Sequence, residues 1–414
     1  MTVRSGAVAG ENGTSELAFY DVPERRLTRA GATLSRRLEN GKGIWQLELP
    51  HGEEGYKQLE QPGAPAAPPS RIARALKAFL RNGQPELIVR LRISGSDEVE
   101  VLEGQHAADS LKTGSDGLHV RVLELIAPET SPPDDAIGHL RAMLERQYDE
   151  ILRHDIGVRL DLDPENVHKL RVATRRARAV LRAARPVLDK EWSEPLRTEL
   201  KWLGGSLGPR RDLDVLVAHL REEIAQLEQP ERTAAETLTR SLEKERESAQ
   251  ALAIEALSSD RYLALLDELE AAARGPKVRR GEVALTKLAA REFKRLRQAA
   301  NNLRPDSRDE EIHATRILGK RARYAAELAR PELGKAAEPL VKSAKAFQDV
   351  LGAHQDSIVA EGRLRGLLAD APGTGAAFAA GRLVERERLR RREARAQLPK
   401  AWRELNRFAG KALG

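Results

Sequence analysis

Residues 168–178 read His-Lys-Leu-Arg-Val-Ala-Thr-Arg-Arg-Ala-Arg, and residues 313–323 read His-Ala-Thr-Arg-Ile-Leu-Gly-Lys-Arg-Ala-Arg. The histidine and four basic residues coincide at offsets 0, 3, 7, 8 and 10. The alignment continues without a gap to an Arg-Pro pair at Arg185 and at Arg330. A coincidence of this length indicates an internal repeat rather than two unrelated helices.

A second landmark keeps its place in both copies. A Leu-Gly pair precedes Asp212 in the first copy and Asp356 in the second. Asp212 follows His168 by 44 residues, and Asp356 follows His313 by 43. Two copies of one helical unit, each about 140 residues long, predict a pair of bundles related by a pseudo-twofold axis.

Basic side chains share one face of each repeated helix. In the first helix they advance by 3, 4, 3, 4 and 3 residues, which at 3.6 residues per turn makes one stripe about 25 Å long. The second helix keeps this phase, with Glu327 as its one interruption. The first stripe is His168, Arg171, Arg175, Arg178, Arg182 and Arg185, and the second is His313, Arg316, Lys320, Arg323 and Arg330. Asp163-Pro164 and the capping-box spacing of Ser307 and Glu310 predict the two helix starts.

Two interpretations of the stripes are open. Stacked arginines repel one another, so either acids of neighbouring helices neutralise them in an ion-pair seam or a polyanionic ligand does. Arginine binds phosphate oxygens bidentately, and histidine gains charge beside phosphate. The histidine recurs at the same offset in both copies, and this favours a phosphate ligand, because an ion-pair seam between helices does not require a histidine at this position.

The segment before the repeats has a different pattern. Short β-like runs at 44–49, 87–93 and 120–126 lie between Gly- and Pro-bearing turns, and 61–70 reads as a loop. After Asp134 the pattern becomes amphipathic and helical, with breaks around Gly204, Gly275 and Gly373. The predicted organisation is a disordered N-terminus at 1–14, a β-rich α+β domain at 15–127, a linker at 128–133, a first helical repeat at 134–274, a linker at 275–281 and a second repeat at 282–414.

Composition narrows the class of protein. A chain of 414 residues is too long for a single hydrophobic core, so more than one domain is expected. A content of 41% hydrophobic and 32% charged residues is typical of a folded, helix-rich protein. Without cysteine there is neither a disulfide nor a thiolate site. The net charge is +7, but 63 acidic residues nearly balance 70 basic ones, so the placement of charge matters more than its sum. We expect a cytoplasmic protein, since no run approaches the length of a membrane span, and no motif for a heme, flavin, nucleotide or metal cofactor.

The repeated motif resembles that of a known family. His-x-x-Arg-x-x-x-Arg-Arg-x-Arg from His168, followed by Leu-Gly-x-x-Arg211-Asp212-Leu-Asp214-Val, resembles the CHAD family, the conserved-histidine α-helical domain. The likeness runs from about Asp134 to the C-terminus and includes both copies.

The CHAD resemblance implies a mainly α fold of two four-helix bundles related by a pseudo-twofold axis, with a basic channel that binds inorganic polyphosphate. We expect Asp212 and Asp356 to cap helices or orient arginines, and no catalytic or metal-binding residue. The expected polyphosphate-binding residues are His168, Arg171, Arg175, Arg178, Arg182, His313, Arg316, Lys320 and Arg323, with Lys201, Lys345 and Arg211.

The N-terminal part resembles a second family. Tyr20-Asp21-Val-Pro-x-x-x-Leu-x-x-x-Gly-x-x-Leu-Ser-Arg-Arg37, followed by Trp45-Gln-Leu-Glu-Leu-Pro50, is similar to the middle of a CYTH domain, a triphosphate tunnel. The family's opening Glu-x-Glu-x-Lys strand has no counterpart before Glu16, an expected arginine is Ser35, and an expected lysine is Glu48. The resemblance therefore implies a degenerate, catalytically impaired domain, with Glu124 as one surviving carboxylate.

These observations lead to a preferred function and two alternatives. We expect a module, not an enzyme, that binds polyphosphate and that associates with polyphosphate granules. The first alternative is metal-dependent triphosphate or polyphosphate hydrolysis by the N-terminal domain, which the missing acidic strand disfavours. The second is nucleic-acid binding, which the scarcity of aromatic residues for base stacking disfavours. No membrane partner is expected, and the oligomeric state stays open.

Overall fold

The computed structural model describes residues 3–4, 14–39, 42–50, 56–81, 83–94, 99–103, 111–114, 117–120, 136–279, 284–369 and 373–414. The chain divides into two compact units. The first consists of Met1–Pro132, Tyr148–Leu170 and Leu257–Leu266, and the second of Pro133–Gln147, Arg171–Ala256 and Asp267–Gly414. The domain boundaries drawn from the sequence stay predictions.

Two antiparallel sheets lie in the first unit. One has six strands in the order β5-β4-β3-β2-β6-β7, and the other has three in the order β1-β9-β8. The strands are β1 (Val3–Arg4), β2 (Thr14–Asp21), β3 (Thr33–Glu39), β4 (Lys42–Pro50), β5 (Tyr56–Pro62), β6 (Glu86–Ser94), β7 (Val99–Glu103), β8 (Leu111–Gly114) and β9 (Gly117–Val120).

The six-stranded sheet follows the expected alternation of apolar and polar residues. Trp45, Leu47 and Leu49 of β4 alternate with Gln46 and Glu48, so its apolar and polar side chains lie on opposite faces of the strand, and all five residues are buried. The β-like runs at 44–49 and 87–93 fall in β4 and β6. Of the run at 120–126, residue 120 ends β9 and the remainder lies outside the described residues.

Helices make up the rest of the described chain. Three short ones lie near the sheet: α1 (Arg26–Arg29), α2 (Ser70–Ala75) and α3 (Lys77–Leu80). The others are α4 (Ala136–Arg159), α5 (Pro164–Ala183), α6 (Lys190–Ser206), α7 (Gly208–Ala225), α8 (Glu231–Ser258), α9 (Asp260–Arg274), α10 (Leu285–Asn302), α11 (Asp309–Leu328), α12 (Arg330–Leu333), α13 (Ala337–Ala369) and α14 (Thr374–Leu413). The fold is therefore mainly α with a smaller β-rich part, as the sequence predicts.

The internal repeat is visible in the helix bounds. Both α5 and α11 are 20 residues long and begin 145 residues apart, at Pro164 and Asp309. The first copy then continues in two helices, α6 and α7, which meet at Leu207, where the second copy has the single 33-residue helix α13. Likewise α8 and α9 correspond to the 40-residue helix α14. The order of helices is thus the same in both copies, and the breaks differ.

The helix starts are specified differently in the two copies. Asp163 caps α5, because its carboxylate accepts a hydrogen bond from the backbone N–H of Glu165 at 2.8 Å. The predicted capping box of Ser307 and Glu310 is wrong by one residue: the Glu311 carboxylate accepts from the backbone N–H of Arg308 at 2.9 Å. The Ser307 hydroxyl instead accepts from the N–H of Arg304, within the preceding turn.

Candidate functional site

The two basic stripes meet across α5 and α11. The Nε of Arg175, on α5, donates a hydrogen bond of 2.9 Å to the hydroxyl of Tyr324, on α11. The buried sides of both helices are apolar or small, with Ala177 and Ala322 fully covered, so the stripes occupy the opposite, more accessible sides. Arg175 also lies close enough to Arg316 and Lys320 to lower the pKa of each, alongside burial. The structure therefore brings together cations from both copies of the repeat.

Arg171 is held at the N-terminal end of α7. Its Nη1 donates to the carbonyl oxygen of Gly208 at 2.8 Å and lies 3.4 Å from the Asp212 carboxylate. Burial lowers the pKa of the Arg171 guanidinium, Asp212 opposes this, and Arg175 and Arg211 lower it further. The approach to the backbone is close, since a Cβ at Gly208 would lie 3.3 Å from Arg171 Nη1. Asp212 thus orients an arginine, one of the two roles expected of it.

Arg316 and Lys320 form the corresponding part of the second copy. The Nε of Arg316 is buried and has no hydrogen-bond partner among the residues that the structure describes. Its pKa is lowered by burial and by Arg175, against the opposite effect of Asp356. The pKa of Lys320 falls to about 7 because burial and the guanidiniums of Arg316, Arg175 and Arg323 disfavour its charged form, with Asp356 opposing them.

The stripe continues toward the C-terminal half of α5. Burial lowers the pKa of Arg178 and of Arg182, and Arg321 of α11 and Arg197 of α6 lower both further, while Glu292 of α10 partly offsets the effect on Arg182. Arg321 was not among the predicted site residues. Its recurrence at offset 8 of the repeat was the signal that could have included it.

An aromatic residue joins the two helices. The guanidinium of Arg323 lies 4.9 Å from the ring centroid of Tyr324, a cation–π distance, and its Nε lies 3.4 Å from the Glu327 carboxylate. Tyr324 is 4% exposed and contacts one arginine from each copy. Its counterpart in the first copy is Ala179, so no sequence symmetry points to it.

The remaining predicted residues are less closely associated with this cluster. His313 is exposed, and its Nδ1 lies 2.7 Å from the Gln355 side-chain oxygen. His168 is half-buried on α5, one turn before Arg171. Lys201 is exposed on α6, Arg211 is half-buried on α7, and Lys345 is exposed on α13 with its Nζ 3.2 Å from Asp349. The roles of these residues stay predictions.

Both stripes end in ion pairs. Arg185 lies 3.0 Å from Glu194, and Arg330 lies 3.1 Å from Glu338. Between these ends, Arg171 and Arg323 each lie 3.4 Å from a carboxylate, that of Asp212 and that of Glu327 respectively. Among the described residues, no carboxylate lies within 4.0 Å of Arg175, Arg178, Arg182, Arg316 or Lys320.

The segment that follows each stripe has a different role in each copy. In the first, Arg210 is buried and donates to Asp214 at 3.0 Å, and Arg246 donates to the same carboxylate at 2.7 Å. In the second, buried His354 lies 3.2 Å from Asp309, and its pKa is lowered by burial, with Asp309 opposing and Arg395 reinforcing the shift. Asp214 thereby links α7 to α8 in the first copy, and the contact between His354 and Asp309 links α13 to α11 in the second.

The N-terminal sheet carries a separate polar cluster. Arg37 donates to the Gln46 side-chain oxygen at 2.6 Å and to Glu60 at 2.7 Å. Glu48, where the CYTH pattern expects lysine, is buried; burial and Glu60 raise its pKa, while a hydrogen bond from Gln46 lowers it. Glu124 lies outside the described residues. Within the described chain no three His, Asp or Glu side chains converge as metal ligands, and no helix there is both long and apolar enough to cross a membrane.

Comparison with known proteins identifies the helical part. The CHAD domain family matches residues 142–365, more than half of the chain, and the protein belongs to this family. Two uncharacterized proteins of Mycobacterium tuberculosis, MT2285 of strain CDC 1551 / Oshkosh and Rv2226 of strain ATCC 25618 / H37Rv, are each 25% identical over 476 aligned positions, covering 96% of this chain and 91% of theirs.

Two solved structures share the fold. PptA from Streptomyces chartreusis is 25% identical with a TM-score of 0.55, covering 64% of this chain and 98% of that one. The CHAD domain from the plant Ricinus communis is 27% identical with a TM-score of 0.54, covering 66% of this chain and 93% of that one. The CHAD resemblance of the sequence is thereby confirmed, and the CYTH resemblance stays a prediction.

Proposed function

We propose that this protein binds inorganic polyphosphate, a linear polyanion, along the facing stripes of α5 and α11, and that binding targets or retains it on polyphosphate. The observation that carries the proposal is the meeting of two arginine-rich helix faces, of which five cations have no carboxylate within ion-pair distance among the described residues: Arg175, Arg178, Arg182, Arg316 and Lys320. Membership of the CHAD family supports the choice of polyphosphate.

The electrostatics of the cluster favour the binding of an anionic ligand. Like charges and burial lower the pKa of Arg171, Arg178, Arg182, Arg316 and Lys320. A polyanion would relieve this repulsion and supply an acceptor to the buried Nε of Arg316. Each charge-assisted contact contributes about 1.5 to 3 kcal/mol, so several together would support tight binding even after partial cancellation by repulsion.

Helix α14 shows what an ion-pair seam looks like in the same molecule. Its arginines pair with acids of neighbouring helices, and such pairs need no ligand. The pairs between helices are Arg382–Glu231, Arg386–Glu223, Arg388–Glu361, Arg391–Glu361 and Arg395–Asp309, and Arg392 pairs with Glu385 of α14 itself. The contrast favours a ligand over a seam for α5 and α11.

The test is a titration of long-chain polyphosphate against the full chain over a range of salt concentrations without divalent metal. Arg171→Ala/Arg316→Ala should weaken binding at least about tenfold and give a shallower salt dependence, because fewer counterions are released. Arg382→Ala/Arg392→Ala removes the same charge from the α14 seam and should bind as the native protein does. Equal losses in both variants would reject a defined site on α5 and α11.

Arg171 also supports α7 through Gly208, so its removal could loosen the fold. Arg178→Ala/Lys320→Ala provides a second variant, in which neither side chain makes an ion pair within the described chain. It should keep the native melting temperature and still lose affinity. Native affinity in this variant would count against the site.

A further inference from the structure

The two stripes differ in chemistry at one central position. At offset 7 the first copy has Arg175 and the second has Lys320. A guanidinium keeps its proton in proteins, whereas an amine can lose it and become a nucleophile. Lys320 is the one amine among otherwise guanidinium and imidazole side chains of the two stripes.

The surroundings of Lys320 combine two properties. Arg316 and Arg323 lie one helical turn before and after Lys320 on α11, and Arg175 of α5 reaches α11 through its hydrogen bond of 2.9 Å to Tyr324. Asp356 of α13 partly offsets the effect of these guanidiniums on the pKa of Lys320. Burial and these guanidiniums lower the pKa of Lys320 to about 7, so its amine is neutral far more often near pH 7 than that of an ordinary lysine. The same guanidiniums that favour the neutral amine also form a docking place for phosphate.

We propose that Lys320 is a site of acylation by acyl phosphates, small molecules whose phosphate docks on the arginines around it, and that acylation weakens polyanion binding. This inference rests on the proposed function, because it uses the same phosphate-binding cluster. Docking raises the local concentration of the electrophile at the amine, as in other reactions between bound neighbours.

The reaction balances without a redox partner. The nitrogen lone pair of Lys320 attacks the acyl carbonyl carbon, and the new N–C bond replaces the C–O bond to phosphate. Inorganic phosphate leaves with the electron pair of that bond, and the amine proton passes to solvent. The product is an amide that cannot be protonated, so the stripe loses the positive charge that Lys320 would carry beside a bound polyanion.

Other lysines provide an internal comparison. Lys345 is 66% exposed at its side chain, and the nearby Asp349 carboxylate, 3.2 Å away, repels an incoming phosphate. Its greater exposure would favour reaction with a reagent that does not need docking. The ratio of the acetylation rate of Lys320 to that of Lys345 therefore reports on phosphate docking and amine reactivity together.

The experiment treats the full chain with acetyl phosphate at pH 7.5 and follows each lysine by peptide mass spectrometry. Lys320 should react at least about tenfold faster than Lys345, and long-chain polyphosphate should protect it. Acetic anhydride, which carries no phosphate, should give a smaller ratio. Arg175→Ala/Arg316→Ala should lose the preference for acetyl phosphate.

The readouts separate this inference from the function on which it rests. Acetylated protein, and the mimic Lys320→Gln, should bind polyphosphate several-fold more weakly than the native protein, whereas Lys320→Arg keeps a positive charge, should bind more tightly than Lys320→Gln, and should resist acetylation at this position. Normal polyphosphate binding with an unreactive Lys320 overturns the acylation inference alone. Absent polyphosphate binding with a reactive, phosphate-selective Lys320 overturns the proposed function and leaves the acylation site standing.

Discussion

At the scale of single residues, Tyr324 has a position that neither stripe predicts. Its hydroxyl accepts from Arg175 of the first copy, and its ring lies against Arg323 of the second. Both arginines are thus held in place before a ligand arrives, which reduces the entropy lost on binding. Tyr324→Phe keeps the ring and removes only the acceptor. We expect a loss of about 1 kcal/mol in unfolding free energy and a few-fold loss of polyphosphate affinity, measured by denaturant titration and calorimetry.

The matched change Ala179→Tyr places a tyrosine at the equivalent position of the first copy. In a Tyr324→Phe background, the new tyrosine should not restore the lost hydrogen bond to Arg175. That bond requires a hydroxyl at position 324, and a tyrosine elsewhere on α5 does not provide it. Native affinity in Tyr324→Phe would show that Arg175 needs no anchoring.

Lys320 should make polyphosphate binding depend on pH. Its pKa of about 7 in the free protein lies below the ordinary lysine value, and a bound phosphate raises it again. The complex therefore holds more protons than the free protein at pH values above about 7. Affinity should fall as pH rises from 7 to 8.5, by up to about tenfold per unit.

Lys320→Arg isolates this effect, because arginine stays charged throughout the range. The variant should bind with little pH dependence above pH 7, apart from that of the ligand's own terminal phosphates. Folding stability should depend on pH in the opposite direction. Without ligand, the lowered pKa of Lys320 means that the unfolded chain binds more protons than the native state, so the free energy of unfolding rises as pH increases from about 7 toward 10. Identical pH profiles for the native protein and the variant would contradict both expectations.

At the scale of helices, the motif after the first stripe has both surface and structural members. Asp214 is buried and accepts from Arg210 and Arg246, whereas Asp212 is exposed beside Arg171. Asp214→Asn removes the charge that two guanidiniums share, and one of them, Arg210, is fully buried. We expect a loss of about 3 to 5 kcal/mol in unfolding free energy.

Asp212→Asn is the control for this prediction. It alters an exposed pair at 3.4 Å, and its effect on stability should stay below about 1 kcal/mol. Thermal unfolding of the two variants measures the difference. Similar losses in both would mean that the burial of Asp214 has no energetic consequence.

Helix-scale features were predictable where they depend on local periodicity. The repeat predicted two corresponding helices, which are α5 and α11, and the stripe phase put Arg171 and Arg175 on one face of the first and Arg316 and Lys320 on one face of the second. Pairing between elements distant in sequence was not predictable. Whether Arg185 meets Glu194, or whether His354 is buried against Asp309, depends on how the helices pack.

At the scale of the whole molecule, the N-terminal sheet and the helical part differ in how their basic side chains are paired. In the sheet, Arg37 is already paired with Glu60, and the expected lysine is the buried Glu48. In the helical part, Arg175 of the first stripe and Arg316 and Lys320 of the second lack such partners among the described residues. A polyanion should therefore interact with α5 and α11 and leave the sheet unaffected.

Hydrogen exchange of the full chain with and without polyphosphate tests this division. At about 100 times the dissociation constant, a ligand stabilises the state that binds it by about 2.7 kcal/mol. Exchange should slow in α5 and α11, where Arg175 and Tyr324 join the helices, and stay unchanged in β3 and β4. Protection confined to β3 and β4 would instead place the polyanion in the N-terminal domain, and the stripes would then be structural. Slower exchange in α5 and α11 that disappears in Arg171→Ala/Arg316→Ala, but persists in Arg382→Ala/Arg392→Ala, would tie the protection to those guanidiniums rather than to the net charge of the chain.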